Sequence, residues 1–401
     1  MTHSKHHLPA PDIGGARPVV RVRERGPAKY FHGRKEVRGF FTQLREDAIQ
    51  DRGGTIFLIQ GPPGAGKTAL LHQCAVEADR DGWLVTKLEN QALHEPAIMA
   101  QNMGESYITR EHRTTTLNAN VIARKTAKEK VGYATVPQLL KGIVPNTGAL
   151  LIVDEVQTIR ALADCPYGPS VTTTLNAIHN GDLHRPVILL AGGLGVSEKA
   201  FSALGISRFD GGCIVNLGRL SEAAERAVTH DWLVKEGKAR GDVTPWIDAI
   251  AAEAHGWPQH LMCYAQPAAK MVLSSNGELT TSGLAYALAQ GRAGKVEYYR
   301  ARSNDVSEAV CIALGNLLSS LPPDFELDEH TIMEALKVGQ TLDGAKTDFN
   351  TLLHKGVIAK TPSRKFTVPI PSMHDWLVDQ YGRNVGLIQR QPRREDYGLG
   401  R

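Results

Sequence analysis

The sequence contains little cysteine and no long apolar run, and each of these absences excludes a class of protein. Its five cysteines are an odd number, lie far apart and never form a CxxC pair, which excludes a disulfide framework and a zinc ribbon. Free thiols in a reducing compartment are expected, so the sequence predicts a cytoplasmic protein. The longest apolar runs, such as Ile56–Ile59 and Ala149–Val153, are too short to cross a membrane, and no signal peptide is expected.

The excess of positive charge is also small. Lys and Arg number 46 against 42 Asp and Glu, and a net charge of +4 does not by itself predict nucleic-acid binding. The distribution is uneven, because residues 1–38 carry nine bases and three acids, whereas residues 303–385 carry seven bases and eleven acids. A second basic cluster consists of Arg110, Arg113, Arg124, Lys125 and Lys128. The two basic regions either contact DNA or an acidic partner, or they are solvated surfaces.

Short apolar segments alternate with helical periodicity between residues 54 and 218. This alternation predicts an α/β domain in which helices cover both faces of a parallel sheet. The predicted strands are Thr55–Gln60, Trp83–Leu88, Leu150–Val153, Val187–Ala191 and Ile214–Leu217. The predicted helices between them are Thr68–Arg80, Val136–Ile143, Ser170–Asn180 and Val196–Leu204.

Helical periodicity without strands continues after residue 219 and predicts a separate helical domain. Its predicted helices are Ser221–Gly237, Pro245–Ala254, Pro258–Ser274 and Thr281–Gln290. Residues 303–385 then follow the order of three helices, two strands and a last helix, which is the order of a winged helix. The predicted organisation is a flexible basic arm (1–27), an α/β core (28–218), a helical domain (219–302), a winged helix (303–385) and a tail (386–401).

The most specific signal is a phosphate loop between the first predicted strand and helix. Its residues fit GxxxxGK[ST] at every fixed position and are Gly61, Pro62, Pro63, Gly64, Ala65, Gly66, Lys67 and Thr68. Glycines let the backbone turn its N–H groups toward phosphate oxygens, and the helix that contains Ala69 presents its positive N-terminus to the same anion. Lys67 is then placed for the β- and γ-phosphates and the Thr68 hydroxyl for Mg²⁺, so the predicted ligands are ATP and Mg²⁺.

A second motif is expected to supply carboxylates beside the phosphates. The apolar strand Leu150–Val153 ends in Asp154 and Glu155. Asp154 is predicted to hold Mg²⁺, mostly through water, and Glu155 to polarise the attacking water as a general base. Nucleotide kinases lack this water-activating acid, so the adjacent pair favours hydrolysis of ATP over transfer of its phosphate to a substrate.

These motifs resemble those of the AAA+ ATPases, and more narrowly those of the STAND and origin-recognition-like branch with a C-terminal winged helix. The resemblance covers roughly residues 28–385. The segment Tyr30–Glu36 is similar to the F-x-G-R-x-x-E box of this branch, which implies that Phe31, Gly33 and Arg34 flank the adenine. The sequence Gly256-Trp257-Pro258 is similar to the GxP motif of the helical lid, which implies that residues 219–302 form this lid and that Pro258 packs near the adenine.

The resemblance also implies a residue that acts between subunits, and it includes one departure. Arg208, just before the fifth strand, matches the position of an arginine finger that would stabilise charge on a neighbour's γ-phosphate; the alternative is a surface arginine. Members of the class usually place Asn or Thr at the end of the fourth strand, whereas here the strand runs into Ala191-Gly192-Gly193-Leu194. This departure implies slow hydrolysis or a nucleotide-held switch.

Three functions stay open at this point. The first is an ATP-driven switch or assembly ATPase that self-associates into a ring or filament through Arg208. The second is a DNA-handling ATPase, such as a transposition helper, a loader or an anti-phage defence component, with the arm and the second basic cluster facing DNA. The third is a nucleotide-sensing regulator or adaptor with little turnover. The acidic balance of residues 303–385 favours packing on the nucleotide, as in STAND proteins, or contact with a protein partner over DNA reading.

Overall fold

The computed structural model describes residues 27–52, 55–88, 110–118, 121–129, 148–156, 168–183, 186–195, 197–203, 206, 213–323, 325–337, 340–361 and 363–382. The basic arm before Pro27, the predicted helix Val136–Ile143, Arg208 and the tail lie outside these residues. The chain divides into two compact units, residues 1–292 and residues 293–401.

The first unit contains a five-stranded parallel sheet. Its elements, with an antiparallel pair β3–β4 inserted, are α1 (Lys35–Asp47), β1 (Thr55–Gln60), α2 (Lys67–Arg80), β2 (Leu84–Leu88), β3 (Arg110–Asn118), β4 (Val121–Glu129), β5 (Ala149–Val153), α3 (Gly168–His179), β6 (Val187–Gly193), α4 (Glu198–Ala203) and β7 (Ile214–Asn216). The strand order is β2-β5-β6-β1-β7. The predicted α/β sheet is therefore present, and β6 separates the strand before the phosphate loop from the strand before Asp154.

The central strands are apolar along their whole length because both faces of the sheet are covered. On one face Leu58, Val153 and Leu189 pack with residues of α3 and α4 in a buried cluster. On the other face Phe41 of α1 stacks on Phe57, with ring centroids 6.2 Å apart. All five strands run in the same direction, so the ends of β1, β5 and β6 meet at one edge of the sheet. The site described below lies at this edge.

The antiparallel pair of β3 and β4 was not anticipated by the apolar pattern. Each strand has nine residues, and the register pairs Arg113 with Thr126 and Arg124 with Thr115. The two strands are rich in Thr, Arg and Lys rather than in apolar residues, so the alternation that identifies half-buried strands is weak here. The second basic cluster therefore lies on a hairpin.

The helical part of the first unit follows β7. Its elements are α5 (Glu222–Asp231), a π-helical turn (Trp232–Glu236), α6 (Thr244–Ala254), α7 (Pro258–Ser274) and the first half of α8 (Thr281–Ser303), which continues into the second unit. The prediction that the last helix ends at Gln290 is wrong, because Gly291 does not stop it. A Cβ at Gly291 would lie 1.9 Å from the Tyr264 ring, so this glycine permits close packing between α7 and α8.

The second unit has the element order expected for residues 303–385. Three helices, α9 (Glu308–Leu318), α10 (Glu329–Leu336) and α11 (Leu342–Lys355), precede the short strands β8 (Ala359–Lys360) and β9 (Phe366–Thr367) and a last helix, α12 (Met373–Tyr381). Side-chain oxygens of Ser307, Asp328 and Thr341 accept hydrogen bonds from the first turns of the three helices, which fixes where each begins. No helix in the described ranges is both long enough and apolar enough to traverse a bilayer.

Candidate nucleotide site

The phosphate loop connects β1 to α2 and adopts two left-handed backbone positions. Gly64 has φ 79° and Gly66 has φ 89°, a region that residues with a side chain rarely adopt. Gly66 is also the residue from which α2 starts, so the loop curls over the positive end of that helix. The loop therefore has the backbone shape that an anion site at a helix N-terminus requires.

Lys67 lies inside the curve of the loop. Its Nζ donates to the carbonyl oxygens of Gly61 at 2.8 Å and Pro62 at 3.1 Å, and the residue is only 6% exposed. Because a buried ammonium group needs acceptors, these carbonyls hold the cation at the start of the loop. An ammonium in this position is available to phosphate oxygens that enter the curve.

Thr68, in the first turn of α2, and Asp154, immediately after β5, meet directly. The Thr68 hydroxyl donates to Asp154 Oδ2 at 2.6 Å, and the backbone N–H of Glu155 donates to Asp154 Oδ1 at 3.0 Å. A hydroxyl and a carboxylate in contact are the hard oxygen donors that Mg²⁺ binds beside phosphates. The residues present therefore fit this metal.

Glu155 stands at the end of β5 with an exposed side chain and a φ of 54°. A left-handed conformation costs a residue with a Cβ about 1 kcal/mol, and such positions cluster at functional sites. The carboxylate is thus displayed at the sheet edge beside Asp154.

The absence of a polar residue at the end of β6 has a steric cause. A Cβ at Gly192 would lie 2.6 Å from Leu71 Cδ1 and 3.0 Å from Asp154 Oδ1. A Cβ at Gly193 would lie 2.1 Å from Ser197 Oγ. The space that an Asn or Thr side chain would need is already filled by neighbouring side chains, so this strand end contributes backbone only.

A mostly apolar pocket lies between the segment before α1, the start of α2 and the helical region. It is lined by Ala28, Tyr30, Phe31, His32, Arg34, Ala65, Gly66, Ala69, Leu220, Val228, Pro258, Leu261 and Met262. Small and apolar groups of this kind accept the flat face of a heterocyclic base. The structure thus brings Phe31, Arg34 and Pro258 to one pocket next to the phosphate loop.

Residues 29–34, here called the strap, are tied to the helical region by polar contacts. Tyr30 Oη donates to Glu236 Oε1 at 2.5 Å, and Lys29 pairs with the same carboxylate. His32 Nε2 lies 2.9 Å from Asp231 Oδ2. Burial opposes ionisation of Asp231, but hydrogen bonds from Lys235 and His32 outweigh it and lower the pKa of this carboxyl. The strap is therefore held to α5 and the turn that follows it.

The Gly256-Trp257-Pro258 segment is fixed by a buried carboxyl. The N–H of Gly256 donates to Glu225 Oε1 at 2.8 Å, and the carbonyl of Gly256 accepts from the N–H of Leu220 at 2.7 Å. Burial raises the pKa of Glu225, and the hydrogen bond from Gly256 opposes this in part. Pro258 then occupies the first turn of α7, where its missing N–H is not needed.

The residues predicted from sequence have three outcomes. The phosphate loop, Asp154, Glu155, Phe31, Gly33, Arg34 and Pro258 lie around the start of α2. Arg208 lies outside the described residues, and for the hairpin cluster only the backbone is described. Glu225 and Gln259 were missed, because no local motif marks them and their partners are distant in sequence.

Neither the family models nor the curated proteins include a match to this chain. Solved structures do resemble it. The Aeropyrum pernix ORC2 protein, solved in ADPNP–ADP complexes, has a TM-score of 0.52 and 14% identity, with 92% of this chain and 95% of that chain covered. The Walker-type ATPase of Pyrococcus abyssi has a TM-score of 0.53 and 13% identity, with 89% and 99% covered. The chain has an AAA+-type fold. This fold consists of an α/β P-loop domain followed by a helical C-terminal region.

Proposed function

We propose that this protein binds and hydrolyses ATP and acts as a nucleotide-dependent switch or assembly ATPase of the STAND-like branch. The observation that carries the proposal is the contact of Thr68 Oγ1 with Asp154 Oδ2 at 2.6 Å, next to a left-handed phosphate loop and followed by an exposed Glu155. A chance glycine turn would not bring a hydroxyl in the first turn of a helix together with a carboxylate from the end of a distant strand.

In this proposal each residue has one task in the reaction. The N–H groups of the loop and the Lys67 ammonium bind the phosphate oxygens and stabilise the charge that develops on the γ-phosphoryl group. Glu155 accepts a proton from water while the water oxygen bonds to the γ-phosphorus and the bond to the ADP oxygen breaks. The products are ADP and inorganic phosphate.

Mg²⁺ is part of the proposal because Thr68 and Asp154 offer suitable oxygen donors. When bound, the ion would neutralise part of the charge on the phosphates. The apolar pocket takes the adenine, with Phe31 and Pro258 in its lining. Gly33 lies between two lining residues of the strap and packs against α5. The ADPNP–ADP complexes named for the Aeropyrum pernix protein support an adenine nucleotide as the ligand.

Self-association supplies the switch in this proposal. Arg208 would reach the γ-phosphate of a neighbouring copy in a ring or filament, so turnover would depend on assembly. Residues 219–302 act as the lid and residues 303–385 as a winged helix that contacts a protein partner.

The test is the ATPase rate per chain across a range of protein concentrations, together with the particle mass with and without a non-hydrolysable ATP analogue. A specific rate that rises steeply with concentration, parallel to an increase in mass, supports the assembly ATPase. Tight ATP binding with a flat rate near zero at every concentration contradicts it and identifies a nucleotide-sensing regulator.

A DNA-handling ATPase is the second candidate, and the hairpin favours it. The register of β3 and β4 places Arg110, Arg113, Arg124, Lys125 and Lys128 on one two-stranded ribbon, an element that fits a DNA groove. Neutralising these five residues should weaken DNA binding and flatten its dependence on salt. Affinity that is unchanged in this variant would leave them as a solvated surface.

A further inference from the structure

Each peptide unit of the phosphate loop has two ends that point in opposite directions. The planar trans peptide places the carbonyl oxygen of Gly64 opposite the N–H of Ala65, and the carbonyl of Ala65 opposite the N–H of Gly66. The N–H of Ala65 turns into the loop, where it donates to the Pro62 carbonyl at 3.3 Å. The N–H ends therefore form the inner side of the loop, and the carbonyls of Gly64 and Ala65 form its outer side.

Both outer carbonyls accept hydrogen bonds from groups outside the phosphate motif. The backbone N–H of Gln259, in the first turn of α7, donates to the Gly64 carbonyl at 3.2 Å. Nη2 of Arg34 donates to the Ala65 carbonyl at 3.2 Å. The helical region and the strap thus donate hydrogen bonds to the carbonyls of Gly64 and Ala65. The N–H groups of the same two peptide units form the inner side of the loop.

Arg34 also donates hydrogen bonds to the connection between the sheet and the helical region. Its Nη2 donates to the Gly218 carbonyl at 2.6 Å, and its Nη1 donates to the Arg219 carbonyl at 3.1 Å. One planar guanidinium therefore joins three backbone carbonyls from two segments, which only a fork of several donors can do.

The backbone conformation places Arg34 for this task. Gly33 (φ 85°) and Arg34 (φ 57°) are both left-handed, and a Cβ at Gly33 would lie 2.7 Å from Ala224 Cβ on α5. The strap therefore passes against α5 and turns sharply there. This turn delivers the side chain to the gap between the phosphate loop and residues 218–219.

We propose that Arg34 is a positioning residue that couples the phosphate loop to the lid (219–302), rather than a ligand of the nucleotide. Phosphate oxygens that accept from the inner N–H groups polarise the same peptide units, which strengthens the bonds that their carbonyls accept from Arg34 and Gln259. Phosphate binding and a closed lid then stabilise each other, and this linkage is reciprocal. The inference rests on the proposed function, because it concerns the same nucleotide site.

The test is hydrogen exchange of the backbone amides in residues 256–262, with and without a non-hydrolysable ATP analogue. In the wild type we expect the analogue to slow exchange in this segment. In the Arg34→Met and Arg34→Lys variants, residues 256–262 should exchange faster than in the wild type when no nucleotide is present. The analogue should no longer slow this exchange, although both variants still bind it. Lysine should not rescue because its single ammonium cannot span three carbonyls. Arg226→Met, which removes an exposed ion pair with Asp248 on the same helical region, is the matched control and should behave as the wild type.

Kinetics separate coupling from direct binding. Because a reciprocal linkage acts on binding, loss of coupling should raise KM of Arg34→Met by about tenfold at most, the usual range of coupling between sites, and the same variant should lose the exchange response of residues 256–262. A large rise in KM with normal exchange of residues 256–262 would make Arg34 a nucleotide ligand and overturn the inference. Unchanged exchange in both Arg34 variants would overturn it as well.

A second pair of variants protects the test if Arg34 variants fold poorly. Gln259→Pro removes the amide that donates to Gly64, at a helix position where proline is tolerated, whereas Gln259→Ala keeps it. Only in Gln259→Pro should the analogue fail to slow exchange of residues 256–262. An equal change in exchange in the two variants would contradict the coupling. A wild-type chain that binds no ATP would refute the proposed function, while faster exchange of Arg34→Met without nucleotide would still report the contact with the loop.

Discussion

The inner and outer sides of the phosphate loop are built in different ways. The inner side depends on Lys67 and Thr68, which belong to the loop's own motif, and on Asp154 at the end of a nearby strand. The outer side depends on Arg34 and on the N–H of Gln259, which come from the strap and from α7. In the proposed mechanism one side carries the chemistry, and the other side couples the helical region to it.

The largest effect is expected on the inner side at Glu155. Glu155→Gln keeps the size of the side chain but removes the base, so kcat should fall by about 10²–10⁴ while ATP still binds. Single-turnover hydrolysis and equilibrium binding of a fluorescent ATP analogue measure the two quantities. Glu222→Gln, an exposed change on α5, is the control. A rate within twofold of wild type would remove Glu155 as the base.

Lys67→Ala should lower ATP affinity by about a hundredfold, because the loop loses its only charged donor to the phosphates. Titration calorimetry measures the change, and Lys270→Ala, an exposed lysine on α7, should bind as the wild type. If Lys67→Ala bound ATP normally, the inner side of the loop would not be the phosphate site.

Gly192→Ala tests whether the crowded end of β6 holds Asp154 in place. The added Cβ would meet Leu71 and Asp154, and overpacking of this kind costs about 1–3 kcal/mol. We expect the Mg²⁺ concentration for half-maximal hydrolysis to rise. Gly195→Ala is the matched control, since a Cβ there would meet nothing within 4 Å. Equal Mg²⁺ dependence in the two variants would show that Asp154 does not depend on this packing.

The smallest effect concerns Glu225, which supports the outer side through Gly256. Burial raises the pKa of this carboxyl, so the folded chain favours its protonated form. Ionisation therefore lowers the stability of the folded chain. This cost is absent below the ordinary pKa and complete above the raised one. Glu225→Gln retains an acceptor for Gly256 and does not ionise. The difference in melting temperature between Glu225→Gln and the wild type should shift in favour of the variant by a few degrees or less as pH rises from about 4 to about 7. If the difference in melting temperature between variant and wild type did not change with pH, ionisation of Glu225 would not cost stability.

The sequence allowed the inner side to be predicted because its signals are local. A glycine-rich loop followed by Lys67 and Thr68 fixes their positions relative to α2, and a buried strand that ends in Asp154 must expose its acids at the sheet edge. Parallel strands bring these ends together whatever the connections between them. The five strands themselves were found because each is a short apolar run.

The outer side has no such signal. Whether Arg34 reaches a nucleotide or a carbonyl depends on two left-handed residues and on the packing of Gly33 against Ala224, which are tertiary facts. The same limit applies to β3 and β4, whose polar residues hide the strand pattern. It applies also to Gly291. Glycine often ends a helix, but here it lies within α8 and leaves room for the Tyr264 ring of α7.

The position of β2 in the strand order has a consequence for where the chain tolerates insertions. Among the described strands β2 lies at one edge of the sheet and pairs with β5, so residues 89–148 connect two neighbouring strands. Lengthening such a connection costs little, about 0.6 kcal/mol for each doubling, and leaves β1 and the phosphate loop untouched. The hairpin β3–β4 lies in this connection. The fold therefore offers a place where one inserted element can be exchanged for another without altering the strand that leads into the phosphate loop.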